Sequence, residues 1–468
     1  MQPLEFLSSA NLEAIHQATM EILSGIGIRF PHQEALDIFK KHGYRVEEQF
    51  VYLKENQIME VIKDIPSQFT IQARNSNHNV TIGDGFPVFA PGYGAPFLID
   101  PEVGKRVPTI EDYENLVRLA HMLPNQDMSG HLLVEPQDIP PETSHLRMVA
   151  ANIQLSDKAF IGSTEGKTGA EHTMDLIKIL FGDPSKGHFT TGLINPLSPL
   201  CYSTDMVDAL MIYARANQPV VIASLIMAGS TGPITLAGVL AQQNAELLSG
   251  IVLSQLVNPG VPVIYGSTST NIDMKTGGLA IGSPELSLCI AAHGQLARKY
   301  GLASRGGGAL TDSSTLDAQA GYESMFSLYT TLYSGIDFVL HAGGIISSYL
   351  AFSYEKFVMD DELCGMLKHF MAGLDVTPET LAVDVIKNVG HDGHYLGESQ
   401  TIERCRSEFW MPAIGDRSGL EAWWSGDQED TASRCTNRWE ELLNEYLEPQ
   451  LDPLVNKQLQ EYLANILD

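Results

Sequence analysis

Basic residues are in short supply: 29 Lys and Arg stand against 57 Asp and Glu, a formal net charge of −28 over 468 residues. Nucleic acids and anionic membrane surfaces are bound through an excess of Lys and Arg, so neither is expected as a partner. The five cysteines (Cys201, Cys289, Cys364, Cys405, Cys435) include no C-x-x-C pair. That suits reduced, packed thiols in a cytoplasm rather than a disulfide framework. The N-terminus, MQPLEFLSSANLEAIHQ, has no basic stretch followed by an apolar core, so no signal peptide is expected. Long apolar runs are absent as well. The richest, such as Val220 to Met227, have the length of buried strands and not of membrane spans. The expected location is the cytoplasm.

What is present is enough apolar material for a large core, 44% of the chain. Residues 1–85 read as an N-terminal helical cap with little strand: a stripe at Leu12, Ile15, Ile22 and Leu23, helices near Gln33–Lys41 and Glu55–Ile62, and one short strand from Phe69. Over 86–371 short apolar runs alternate with helical stretches eight times. The runs are Val88–Ala90, Asp127–Val134, Ala159–Ser163, His188–Ile194, Pro219–Leu225, Pro262–Ser267, Gly301–Arg305 and Ile336–His341. Runs without polar alternation are what a parallel sheet covered on both faces produces. Eight such units predict an α/β fold, a (β/α)8 TIM barrel, with an open doubly wound sheet as the alternative. Thr109 with Asp112, and Ser283-Pro284-Glu285, are placed to open helices; Thr377-Pro378-Glu379 predicts another beyond the barrel. Residues 372–468 read as an acidic C-terminal helical extension with aromatics at Phe409, Trp410, Trp423, Trp424 and Trp439.

Barrel active sites lie where strands run into the following loops. Those positions hold Tyr93, Gly94, Gly130, His131, Thr164, Glu165, Asn195, Ser224, Ser267, Thr268, Gly306, Gly307, Gly308, His341, Gly343 and Gly344. The set is polar but nearly uncharged: no lysine, carboxylate pair or metal cluster of the kind hydrolases and aldolases use. The glycines either leave an open mouth for something bulky or shape tight turns. Arg305 beside three glycines would alternatively serve a phosphate, the rival reading of a lyase or aldolase acting on a phosphorylated small molecule. His391 and His394 form an H-x-x-H without further ligands at suitable spacing, so no metal site is expected and both are read as hydrogen-bonded structural residues.

The stretch from Gly266 to Gly277 (GSTSTNIDMKTG), then Ala280–Glu285 (AIGSPE), resembles a signature of the trimethylamine methyltransferase superfamily. So do Gly335–Gly343 (GIDFVLHAG), Tyr354–Asp361 (YEKFVMDD), His394–Thr401 (HYLGESQT), Phe409–Pro412 (FWMP) and Trp423. The likeness runs along nearly the whole chain in order. It implies a barrel enzyme that hands a methyl group to the corrinoid (cobalamin) of a separate partner protein, binds no cofactor tightly itself, and forms a homo-oligomer. Founding members carry pyrrolysine; this chain has only the standard residues. Members of that kind resemble demethylases of quaternary amines: glycine betaine above all, or proline betaine, carnitine or butyrobetaine. A non-catalytic betaine-binding barrel is the third reading. Under the resemblance, His341 holds the substrate carboxylate, with backbone N–H groups of neighbouring glycines. Tyr93, Tyr349 and Phe352 surround the cation, and Glu165 steers the cation or orients His341. Gly306, Gly307, Gly308 and Gly343 face the corrinoid.

Overall fold

The computed structural model describes residues 3–467. Eight short parallel strands form its centre: β1 (Val88–Phe89), β2 (Met128–Ser129), β3 (Ala159–Phe160), β4 (Gly192–Ile194), β5 (Val220–Ser224), β6 (Val263–Ser267), β7 (Ala303–Gly307) and β8 (Phe338–Leu340). Strands β4 to β8 continue into β1 as one six-stranded sheet, and β2 pairs with β3. The two remaining seams are closed by isolated contacts outside the regular ladders. Ile161 bridges to Thr191 between β3 and β4. Between β1 and β2, the Asp127 amide donates to Phe89 O at 2.9 Å while the Asp127 carboxylate accepts the Phe89 N–H at 2.8 Å. The result is a closed (β/α)8 barrel. Its interior is filled by Met128, Ile161, Val221, Ile264, Phe338 and Leu340, with Tyr93 packed on top.

The outer helices are α1 (Ile110–Met122), α2 (Pro141–Leu155), α3 (Gly166–Phe181), α4 (Thr204–Arg215), α5 (Leu236–Val257), α6 (Pro284–Tyr300), α7 (Ala318–Tyr333) and α8 (Tyr354–Ala372). The expected starts hold where local chemistry sets them: Thr109 and Asp112 form a reciprocal capping box on α1, and Pro284 is the first residue of α6. Thr377 does accept the Thr380 N–H at 3.1 Å. It begins only a turn, however, because Ala382 enters the left-handed region (φ 51°) before the helix at Val383 starts.

Two expectations need correction. The N-terminal cap is not poor in strand: Ile28–Arg29, Arg45–Glu47 and Phe50–Tyr52 make an antiparallel sheet, and Phe69–Ile71 pairs with Val80–Ile82. These strands are two or three residues long, too short for alternation to register in sequence. One helix, α5, is long and apolar enough to cross a membrane; its glutamines, asparagine and glutamate interrupt every apolar run without lowering the mean far. It is buried from Val239 through Gln255, with the barrel inside and the cap outside. Thr19 on the cap helix Ser9–Glu21 donates to Ala241 O at 3.2 Å and accepts from Asn244 at 3.0 Å.

Candidate active site

At the carboxyl ends of the strands lies a cavity of about 610 Å³, lined by Tyr93, Asn195, Thr268, Arg305, His341 and Tyr349, with Leu193, Leu225, Leu279 and Leu350 supplying its apolar walls. Tyr93, His341 and Tyr349 of the expected set are therefore brought together. His341 follows β8 directly with φ 65°, and its Nδ1 accepts the Tyr93 backbone N–H at 3.2 Å. A backbone amide can only donate, so the ring proton sits on Nε2. Burial, reinforced by the positive charge of Arg305, holds the imidazole pKa well below its ordinary value. His341 is thus a neutral N–H donor.

Tyr349 stacks obliquely on that ring, centroids 4.8 Å apart. It closes a run of three residues, Ser347, Ser348 and Tyr349, with φ of 53°, 53° and 72°. Left-handed backbone costs a non-glycine residue roughly 1–2 kcal/mol, so the run needs a clamp. The Ser347 and Ser348 amides donate to Ser313 O and Thr311 O at 2.8 and 3.2 Å, and Ser348 Oγ donates to Asp312 at 2.7 Å. The strain sets Tyr349 over the cavity with its hydroxyl buried and unpartnered; burial raises that phenol to about 12.

Arg305, the phosphate ligand of the alternative sequence reading, lines the same cavity. It reaches inward from β7, 2% exposed. Among the described residues its side chain makes one hydrogen bond, from Nη1 to Thr268 Oγ1 at 3.4 Å, and Nε has no partner. No carboxylate among the described residues is close enough to influence it; burial lowers its pKa to about 10, with only Tyr349 opposing. At neutral pH the guanidinium is charged and lacks a counter-ion. A buried cation without a partner is costly, and the cavity is where its missing anion would sit. The signal in the sequence was a charge at the end of an apolar strand run.

The other expected residues are placed elsewhere. Phe352 is fully buried outside the barrel, against Phe357 at 5.3 Å between centroids and against Gly344. Its alternation with Tyr349 in sequence conceals that the chain turns between them. Glu165 does not orient His341: it pairs with His131 Nε2 at 2.9 Å. Burial alone would raise its pKa, but that hydrogen bond and charge bring it below the ordinary value. Its negative charge is felt by the Tyr93 hydroxyl. The cavity thus holds a cation at Arg305 beside His341, while the exposed Glu165 acts on Tyr93 without lining it. Gly306, Gly307, Gly308 and Gly343 do not open the mouth. A Cβ at Gly307, Gly308 or Gly343 would strike Leu310, the His341–Ala342 backbone or Phe357, and one at Gly306 would crowd Ile290 and Thr331 at 3.2 Å; they are glycine so that strands and helices can approach. His391 and His394 are exposed and make no hydrogen bond among the described residues.

Behind the site, α8 supplies a buried ion pair. Lys356 Nζ meets both Asp360 oxygens at 2.5 Å and donates to Ala309 O at 3.1 Å. Asp360 in turn accepts the Gly344 N–H at 2.9 Å, and Ala309 N–H donates to His341 O at 2.9 Å. The pair ties the ends of β7 and β8 together, which sets the spacing of Arg305 and His341. On the opposite wall, the buried Glu246 carboxylate accepts from Ser198, the Leu200 amide, Ser224 and Gln242 at 2.7–3.0 Å, pinning the loop that carries Asn195.

The trimethylamine methyltransferase family model matches residues 1–466. The chain is 47% identical over 461 residues to a glycine betaine methyltransferase of Desulfitobacterium hafniense (strain Y51), covering 98% of this chain and 96% of the relative. It is 33% identical over 476 residues to a proline betaine:corrinoid methyltransferase of Eubacterium limosum, covering 98% and 97%. A trimethylamine methyltransferase of Desulfitobacterium hafniense (strain DSM 10664 / DCB-2) is 33% identical over 451 residues, covering 94% and 89%.

Proposed function

Because the chain belongs to the trimethylamine methyltransferase family, we propose that it demethylates quaternary amines that carry a carboxylate, glycine betaine foremost, and passes the methyl group to the Co(I) of a corrinoid held by a separate protein. The observation that carries the reading is Arg305, a buried charge facing the cavity without a counter-ion. A betaine carboxylate supplies that counter-ion. The Nε2–H of His341 and the free hydroxyl of Tyr349 are further donors to it. The ammonium then lies towards Tyr93, whose face is attractive to a cation by about 0.5–2 kcal/mol, with the Glu165 charge beyond.

The chemistry asks little else of the protein. Attack of Co(I) on the methyl carbon forms the Co–C bond as the C–N bond breaks. The electron pair stays on nitrogen, which departs as a neutral tertiary amine. No proton moves, in keeping with a cavity whose histidine is neutral and which has no lysine or carboxylate in its lining. Orientation and exclusion of water are what remain. The corrinoid protein is expected to approach where the lining is exposed, at Gly278 and Leu350. The phosphate reading is disfavoured, since Gly306 to Gly308 are packed and offer no cradle. The five free cysteines suit the cytoplasm, and the protein is taken to self-associate.

The deciding experiment mixes the protein anaerobically with Co(I) cobalamin or its corrinoid partner and glycine betaine, proline betaine, carnitine, butyrobetaine, choline or trimethylamine, following methyl-Co(III) by absorbance. Methylation with a carboxylated betaine and not with choline is expected. Turnover of choline at equal efficiency would refute the carboxylate requirement, and binding of a betaine without turnover would make the protein a sensor.

Tyr349→Phe is expected to leave thermal stability unchanged, since the hydroxyl has no protein partner. It should weaken betaine affinity by about 0.5–1.5 kcal/mol, roughly 2- to 13-fold; calorimetry showing wild-type affinity would remove Tyr349 from the carboxylate site. The pH profile should be flat. Between pH 6 and 9 His341 stays neutral, Tyr349 neutral, Glu165 ionised and Arg305 charged, so betaine binding should not vary over that range. A bell centred near neutrality would show an ionising group in the site that this geometry does not contain.

A further inference from the structure

Helix α7 is an outer barrel helix without a polar face. Its sequence, AQAGYESMFSLYTTLY, has one charged residue, Glu323, and that one is turned inward: it accepts from Thr311 Oγ1 at 2.7 Å, the Asp312 amide at 2.9 Å and Gln319 at 2.9 Å. The outward positions are Tyr322, Phe326 and Tyr329, 63%, 49% and 38% exposed, followed by Tyr333, which stacks on Tyr329 at 4.3 Å. Phe370, near the end of α8, adjoins Tyr333 at 6.0 Å and is itself exposed. A solvated helix normally presents charge on this side, and a contiguous aromatic patch marks an interface. The equally apolar α5 shows the rule: the cap covers it.

The chain also carries a segment in need of a surface. Just beyond Phe370, residues 373–428 leave the barrel as an arm whose three helices, Val383–Val389, Ser399–Arg404 and Leu420–Ser425, bury no residue at all. Leu374, Val376, Leu396, Phe409, Met411 and Leu420 are all more than half exposed. Helices of six or seven residues have no stability of their own in water, so this arm needs packing that its own chain does not give. Where it is anchored, the anchor lies at its far part: Glu362 accepts the amides of Ala413, Ile414 and Gly415 at 2.8, 3.2 and 3.1 Å.

We propose that these two features meet in a homo-oligomer: the aromatic face of α7 with Phe370 is the contact surface for a second copy of this chain, and the partner copy's arm, residues 373–428, covers it. The arm's root lies beside the aromatic face. A two-fold axis near Phe370 therefore brings each arm to the other copy's α7 and satisfies both surfaces with one closed, reciprocal contact. Charge favours the same place. Two copies, each at −28, repel over most of their surface, and the outward side of α7 presents no carboxylate to oppose approach.

The test uses the full-length protein. Sedimentation velocity at 1–50 μM should show a dimer or a multiple of it; amide exchange should show 383–404 protected. Phe326→Asp combined with Tyr322→Asp places charge on the face without touching a buried residue. The variant is expected to sediment as a monomer with an unchanged far-UV spectrum and with amide protection lost at 383–404. A monomeric wild type would overturn the proposal, as would a variant that stays oligomeric. A monomeric variant with its arm still protected would overturn the arm's part in the contact. Protection that appears only when the corrinoid protein is added would assign the face to that partner instead.

Discussion

Arg305→Met should lower kcat/KM for glycine betaine by about 30- to 5000-fold. Removing one member of a desolvated charge pair costs about 2–5 kcal/mol, and each 1.36 kcal/mol is a factor of ten. The substrate carboxylate would enter a walled cavity and find only the neutral donors of His341 and Tyr349. Much of the loss should fall on KM, because the carboxylate is equally far from the reacting methyl before and during the reaction. Stability should move the other way. In the free enzyme Arg305 is a buried cation with one long hydrogen bond and no counter-ion, and apolar replacements of buried charges are often neutral or stabilising by about 1–4 kcal/mol. The variant should melt no lower than the parent while losing betaine turnover. The opposite pair of results, activity within threefold of the parent and a lowered melting temperature, would show that Arg305 is structural.

The second large effect is expected at Lys356, buried completely with Asp360. Lys356→Met leaves a carboxylate without its cation, which costs about 3–5 kcal/mol of folding stability. Lys356→Met with Asp360→Leu should recover most of it, since the unpaired charge is then gone. The pH dependence distinguishes this cause from a packing defect. Burial already raises Asp360 to about 6 from an ordinary 3.8, against the pull of Lys356, and without the lysine it rises further. An acid whose pKa is higher folded than unfolded takes up a proton on folding, so its penalty is present above the folded pKa and fades as pH falls towards the unfolded one. The deficit of Lys356→Met should therefore narrow between pH 7.5 and 5, measured by denaturant midpoint. A deficit constant over that range would point to lost packing. Because the pair ties Ala309 and Gly344, the residual folded variant should also bind betaine more weakly.

Much of this molecule is legible in its residues alone. The apolar runs from Val88 to His341 give all eight strands, since a barrel strand covered on both faces has no polar position to confuse the pattern. Pro284 and the Thr109–Asp112 pair fix helix starts by contacts three residues apart. The strand-end rule brings Tyr93 and His341 to one cavity, because it needs only the direction of the strands. What depends on a turn is lost. Phe352 and Tyr349 are three residues apart, yet the left-handed run at 347–349 sends Tyr349 over the cavity and lets Phe352 pack outside the barrel. The four glycines read as an opening are packed places, at three of which a side chain would collide, and a glycine looks the same in sequence whether it faces space or another atom.

Local propensity and hydrophobic period thus determined the order and class of the barrel's elements, because those forces act between neighbours along the chain. The charge state of the cavity was decided by the tertiary structure. That Arg305 has no carboxylate within reach, that His341 carries its proton on Nε2, that Glu165 belongs to His131, and that α7 is bare while α5 is covered are all statements about which distant segments meet. Desolvation and pairing are properties of that meeting, and no stretch of sequence contains them.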